Sequence, residues 1–340
     1  MRTWGISVAR QRFLAFCAGV VCVALAAAAL AIGLTGAPLR AALPGDHAHV
    51  GVASCSGTTC HGRQEPDGKI VRQDEILRWQ EPSSPTGAHS RAFAVLSDTR
   101  GRQIGARLGI NPSASGECLG CHAEPGAKRV SDGVGCEACH GGASGWLASH
   151  YAVGGTHAAN VARGMVPLDR PAVRASVCLD CHFGSADGGQ FVNHRIMAAG
   201  HPRIAFELDL FSALQQHHNE DADYAARKGR TNSVRVWAVG QAMALDRALS
   251  LFANPSLGTN GAFPEFYFFD CHSCHRRIQD SDSFTATALA NPGRGTPPGA
   301  VPFNDENMIM LSAAARVAAP GLAARFDADS RAFHRAIGES

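Results

Sequence analysis

Ten of the twelve cysteines in this 340-residue chain fall in five pairs, and each pair is followed at once by a histidine. Four copies read Cys-x-x-Cys-His: Cys118, Cys121 and His122; Cys136, Cys139 and His140; Cys178, Cys181 and His182; Cys271, Cys274 and His275. The fifth, Cys55-Ser-Gly-Thr-Thr-Cys60-His61, has a loop two residues longer. Two thiols at such spacing can add to the two vinyl groups of one porphyrin, and the adjoining imidazole is then held under the ring as an iron ligand. A four-thiolate zinc site also uses paired cysteines, but it gives no role to a histidine after every second one. A disulfide framework explains an even cysteine count, yet not a repeated close pairing with the same following residue. The pattern predicts five covalently bound haem c groups. The stretched loop has to bulge, and Gly57 is the expected place for it.

Beyond the first 45 or so residues, five haems share just under 300 residues, roughly 60 each. The expected fold is therefore mainly α: helices and long loops wrapped around a closely packed haem array. With 37 glycines and few alternating Val/Ile/Thr stretches, the chain has little strand signal. Apolar periodicity predicts helices over 90–108, 203–218 and from about 231 to 253. A Gly/Pro-rich loop follows over 280–303, then two short helices over 305–318 and 321–337. The expected division is an N-terminal anchor or signal over 1–44, a pentahaem domain over 45–285, and a loop and helical tail over 286–340 packed on it.

Arg2, Arg10 and Arg12 precede an uncharged run from Phe13 to Leu39. A cleavable signal has an apolar region of only ~7–15 residues, whereas ~20 span a bilayer. The run is read as a retained anchor with a cytoplasmic N-terminus and an exported body. The alternative is a signal cut near Thr35-Gly-Ala37, which would leave a soluble periplasmic protein. Cys17 and Cys22 lie inside the run and are read as small apolar residues. The rest of the chain has 27 basic and 29 acidic residues. Haem propionates would make it more acidic still, which argues against nucleic acid and for a redox partner with a basic face.

Sixteen histidines less five proximal ones leave eleven: His47, His49, His89, His150, His157, His194, His201, His217, His218, His272 and His334. So many spare imidazoles beside five irons point to mostly bis-histidine ligation. His217 and His218 extend two different apolar helix faces, so periodicity does not choose between them. Met165 and Met197 are weaker ligand candidates, and Met243, Met308 and Met310 read as core. Trp79, Trp146 and Trp237 are expected to wall haems, and Arg91, Arg195 and Arg203 either to pair with propionates or to stand as solvated surface arginines.

The ordered series Val50-Gly-Val52 with the stretched motif, Glu75, Trp79, His89-Ser-Arg-Ala-Phe93 and Gly135-Cys-Glu-Ala-Cys-His-Gly141 resembles the exported multihaem cytochromes of the cytochrome c-554 family. The likeness continues through Trp146-Leu-Ala-Ser-His150, Asn193-His194, Ala199-Gly-His-Pro-Arg203, Phe206-Glu207 and Asp270-Cys271. It implies a largely helical fold with closely packed haems that pass electrons. It also implies distal ligand roles for His89, His150, His194 and His201, and its pattern favours His217 over His218. The chain departs from the small relatives by carrying five motifs rather than four.

The resulting expectation is a periplasmic electron carrier held at the cytoplasmic membrane, exchanging electrons with redox proteins. One rival is an oxidoreductase acting on hydroxylamine, nitrite or a sulfur compound at a five-coordinate haem. Another is a membrane-anchored quinol-oxidising donor. No motif replaces its histidine with lysine, and only three tyrosines are present, so nothing in the sequence marks the first rival.

Overall fold

The computed structural model describes residues 47–64, 73–124, 126–127, 129–186, 189–217, 220, 222–259, 264–275 and 300–339. The expected anchor over 1–44, with Cys17 and Cys22, lies outside these residues, as does His218. Among the described residues no helix is long and apolar enough to cross a membrane.

The described chain is mainly helical. Its only β pairing is two isolated bridges, Ser185 with Gln190 and Phe269 with Phe303. In chain order the helices are α1 (Glu75–Gln80), α2 (Thr99–Leu108), α3 (Gly116–His122), α4 (Cys136–His140), α5 (Leu147–His150), α6 (His157–Ala162) and α7 (Pro171–His182). They continue as α8 (His194–Ala198), α9 (Leu208–Leu214), α10 (Ala222–Lys228), α11 (Ser233–Ala253), α12 (Cys271–Cys274), α13 (Glu306–Ala318) and α14 (Pro320–Gly338). Most are short, as expected when helices carry ligands rather than build a bundle. The chain divides into two compact units, with the boundary at Gly240/Gln241 inside α11.

Two expected helices start later than their apolar pattern suggested. The stretch from Ser90 first makes tight 3-10 turns at His89–Arg91 and Ala94–Ser97. Helix α2 begins only at Thr99, because the Asp98 carboxylate accepts the Gly101 N–H and caps it. The helix expected from Arg203 begins at Leu208, where Glu207 accepts from the backbone of Asp209 and Leu210. A capping side chain outweighed apolar periodicity in both cases.

In the unit ending at Gly240, Ala143, Trp146 and Met165 form a buried cluster joined by Val50 and Leu147. Met165 is therefore core, not a free ligand candidate. In the unit from Gln241, Phe252, Phe268, Phe269, Phe303 and Phe333 pack mainly edge to face. Backbone bonds from Asp270 N to Pro302 O (2.9 Å) and Asn304 N to Phe268 O (2.8 Å) tie the strand before Cys271 to the chain entering α13.

Candidate haem-binding site

Four of the five Cys…Cys-His motifs lie on or run into helices α3, α4, α7 and α12. Helical residues three and four apart share a face, so a Cys-x-x-Cys-His stretch presents both sulfurs and the imidazole to the same side. None of the ten motif cysteines is in a disulfide among the described residues. The stretched motif closes as a turn. The Gly57 carbonyl accepts both Cys60 N (2.8 Å) and Gly62 N (3.1 Å), and His61 N reaches Cys55 O (3.1 Å). The glycine this turn requires is Gly62, where a Cβ would run into the Ser56 carbonyl, rather than Gly57.

The first four motifs, all in the unit ending at Gly240, sit next to one another. The Cys55 thiol hydrogen-bonds that of Cys136. Cys121 Sγ lies 4.0 Å from Cys181 O, and Cys181 Sγ 3.8 Å from Gly120 O. Burial pushes the Cys139 thiol up to about 12 and that of Cys178 to about 11, with Cys178 and Glu124 adding to the effect on Cys139. The neighbour relations give the spatial order first, third, fourth and second motif.

Each motif histidine of this unit faces one histidine from elsewhere in the chain. Ring centres are 5.9 Å apart for His61 and His150, 6.1 Å for His182 and His89, 6.2 Å for His122 and His201, and 6.2 Å for His140 and His217. The first pair is nearly parallel at 15°, while the others cross at 72° to 87°.

Backbone and side-chain partners hold Nδ1 of several of these rings, leaving Nε2 as the nitrogen available to a metal. His61 Nδ1 meets Glu75 Oε2 at 3.0 Å, His122 Nδ1 meets Ala92 O at 2.7 Å, His201 Nδ1 meets Pro202 O at 2.8 Å, and His217 Nδ1 meets Gln215 O at 2.9 Å. The hydrogen bond to Glu75 raises the His61 pKa above its ordinary value despite burial. Burial pushes Glu75 up, but the bond from His61 and the nearby imidazoles bring it below the usual carboxylate range. Burial, reinforced by the facing His89, takes His182 down to about 4, and its buried Nδ1 has no hydrogen-bond partner among the described residues. Burial also depresses His89, His150 and His201. A neutral imidazole is the form that binds a metal.

Four of the remaining histidines have other neighbours. His47 packs on Gly145 and Gly164, His49 Nδ1 bonds Glu124 Oε1 (2.6 Å), His157 pairs with Asp169 (3.1 Å), and His334 lies buried 3.6 Å from Asp305. His194 opens α8 behind the cap made by Asn193, and His275 follows α12 in the other unit. Two of the three arginines expected near propionates have protein partners. Arg195 grips Glu117 with two bonds (2.8 and 2.9 Å), and Arg91 is pinned to the carbonyls of Glu81 and Ser84 (2.7 and 3.2 Å). Trp146 stands edge-on to His150 at 5.6 Å, and Trp79 Nε1 donates to Val134 O (3.0 Å).

Sequence reasoning missed two buried glutamates. Glu137, within the third motif, accepts Val50 N (2.9 Å), Gly51 N (2.7 Å) and Ala143 N (2.6 Å). Glu124 joins His49 to Ala138 N (3.2 Å). A charged residue between the two cysteines of a motif was the available signal for Glu137.

The model of one protein family, described as cytochrome c554 and c-prime, matches residues 55–141. No curated protein and no solved structure gives a match.

Proposed function

We propose, from the match of residues 55–141 to the cytochrome c554 and c-prime family model, that this chain is a c-type cytochrome that relays electrons through five covalently bound, bis-histidine haems. The observation that carries the reading is the recurrence of one spacing. A transition-metal–imidazole bond is about 2 Å, so two imidazoles across one metal have centres about 6 Å apart. Ring packing alone scatters from ~4.5 to 7 Å. Four separate pairs instead fall between 5.9 and 6.2 Å, and each joins a motif histidine to one outside the motifs.

The haem, when bound, supplies reversible one-electron chemistry. The chain's contribution is to hold it. Cys55 and Cys60, Cys118 and Cys121, Cys136 and Cys139, Cys178 and Cys181, and Cys271 and Cys274 would anchor the rings. His61, His122, His140, His182 and His275 would be proximal ligands, with His150, His201, His217 and His89 opposite the first four. His194 remains the candidate for the fifth. Adjacent thiols of different motifs support short ring-to-ring gaps in the order first, third, fourth, second, and tunnelling rates fall exponentially with such gaps. Two imidazoles per iron leave no open position for a small substrate.

The body is proposed to work on the periplasmic face of the cytoplasmic membrane, tethered through residues 1–44. Support comes from the arginines preceding the apolar run and from haem attachment being chemistry of exported proteins. Its electron donor and acceptor are proposed to be proteins that dock through a basic face.

Intact-mass measurement after acid–acetone extraction, combined with carbon monoxide difference spectra, tests the reading. Five extra porphyrin masses and almost no carbon monoxide response are expected. Four masses would remove one motif. Steady turnover of nitrite or hydroxylamine by the purified protein would overturn the carrier assignment.

A further inference from the structure

The geometry points to Arg100 and Arg107 as positioning residues that hold His201 on the iron of the second motif; this rests on the reading of His122 and His201 as one ligand pair. The two arginines are seven residues apart on α2, nearly two full turns, and so share a helix face. That face meets the turn leaving α8. Arg100 donates to Gly200 O from both Nε (3.1 Å) and Nη2 (2.7 Å), and Arg107 Nη1 donates to Ala199 O (3.0 Å). These are the two carbonyls immediately before His201.

The N–H groups of the turn bond back to α8, Ala199 N to Arg195 O (3.1 Å), Gly200 N to Met197 O (2.8 Å) and His201 N to Ile196 O (3.3 Å), so what the arginines hold is its carbonyl side. Gly200 has φ +113°, a conformation that side-chain-bearing residues avoid, and a Cβ there would lie 3.1 Å from Arg107 Nη1. The last carbonyls of a helix have no partner within it, so α8 on its own leaves this turn unsatisfied. Charge-assisted bonds to a forked guanidinium supply both direction and strength that a lone amide would not. His201 itself adds two constraints, the 3.3 Å bond of its N–H to Ile196 O and the 2.8 Å contact of Nδ1 with Pro202 O, which orients the ring. With the backbone located by Arg100 and Arg107 and the ring by Pro202, His201 stands 6.2 Å from His122 at 87°. Helix α2 contains no cysteine and no histidine, and its role at the site is exerted through these bonds.

Ordinary capping of α8 would also use these bonds, so the test reads the iron and not only stability. In the full haem-loaded protein, Arg100→Ala/Arg107→Ala should retain all haem mass yet gain carbon monoxide reactivity and a high-spin signal at up to one haem per chain. Arg100→Lys, with one ammonium in place of a fork, should recover part of the low-spin signal. His201→Ala is the reference, in which one haem becomes fully high-spin. If His201→Ala leaves the spectra unchanged, the ligand reading itself fails. If His201→Ala converts one haem but the double variant stays wholly low-spin, the positioning role fails alone. Should the double variant not accumulate, Arg107→Gln and Arg100→Lys are read singly, and unchanged carbon monoxide reactivity in both overturns the role.

Discussion

His61 and His150 face each other with ring planes only 15° apart, whereas the other three histidine pairs cross at 72° to 87°. The cause lies in what holds each ring. His61 is fixed by Glu75 from α1, and His150 sits between the edge of Trp146 and the amide of Asn160 (3.3 Å from Nδ1). Axial imidazoles donate into iron d orbitals along their own ring normals. Parallel rings split those orbitals, and perpendicular rings leave them nearly equal in energy. Low-temperature electron paramagnetic resonance of the oxidised protein should therefore show one rhombic low-spin component beside several of much larger anisotropy. His150→Ala should remove the rhombic one. A spectrum without any rhombic component would contradict the pairing.

Glu75 should set the potential of the same haem. A carboxylate on Nδ1 gives the imidazole anionic character, which favours the oxidised metal. Glu75→Gln is expected to raise one midpoint potential in a spectroelectrochemical titration and leave the rest within error. The shift would be absent if the 3.0 Å contact has no electronic consequence.

Gln215 should affect two haems at once. Its side chain hydrogen-bonds His89 and donates to Pro85 O (2.8 Å), while its backbone carbonyl meets His217 Nδ1 (2.9 Å). Gln215→Ala removes the first two contacts and loosens the segment that carries the third. Resonance Raman or magnetic circular dichroism should show changes at the haems of the third and fourth motifs together, with the first and second unaffected.

Replacing Glu137 by Gln should cost stability out of proportion to the size of the change. The carboxylate accepts three backbone N–H groups in a buried site, and an amide would turn one acceptor into a donor aimed at another donor. A loss of about 3 kcal/mol is expected, from bonds to a charged group worth ~1.5–3 each. Chemical denaturation of the haem-loaded protein measures it. The haems assigned to the first and third motifs should lose their distal ligation first, because Glu137 ties residues 50 and 51, just before Cys55, to α4.

Phe303 should matter to the fifth motif despite lying outside it. It is 1% exposed and packs on Phe252, Phe268, Phe269 and Phe333. Truncating a buried phenylalanine to alanine costs ~3–5 kcal/mol. Phe303→Ala should give a protein with four haems instead of the proposed five by intact mass, the missing one being that assigned to Cys271 and Cys274. Retention of all five would show that Phe269 and Asp270 hold the motif strand unaided.

The sequence by itself determined the helical character, the motifs and the helices with strong local signals. Helix α11 (Ser233–Ala253) and the pair α13 and α14 follow the expected bounds within a residue or two, because apolar period, capping residue and flanking proline agree there. The motifs were legible for a related reason: residues three and four apart on a helix share a face whatever surrounds them. Where two local signals disagreed, as at Asp98 and Glu207, the cap decided the helix start and the apolar pattern did not. Which histidine faces which was beyond any local pattern. His122 meets His201 because Arg100 and Arg107 on α2 grip the carbonyls of Ala199 and Gly200, and His61 meets Glu75 only once the stretched motif has turned about Gly62. Such contacts join segments far apart in the chain, so tertiary packing alone decided them.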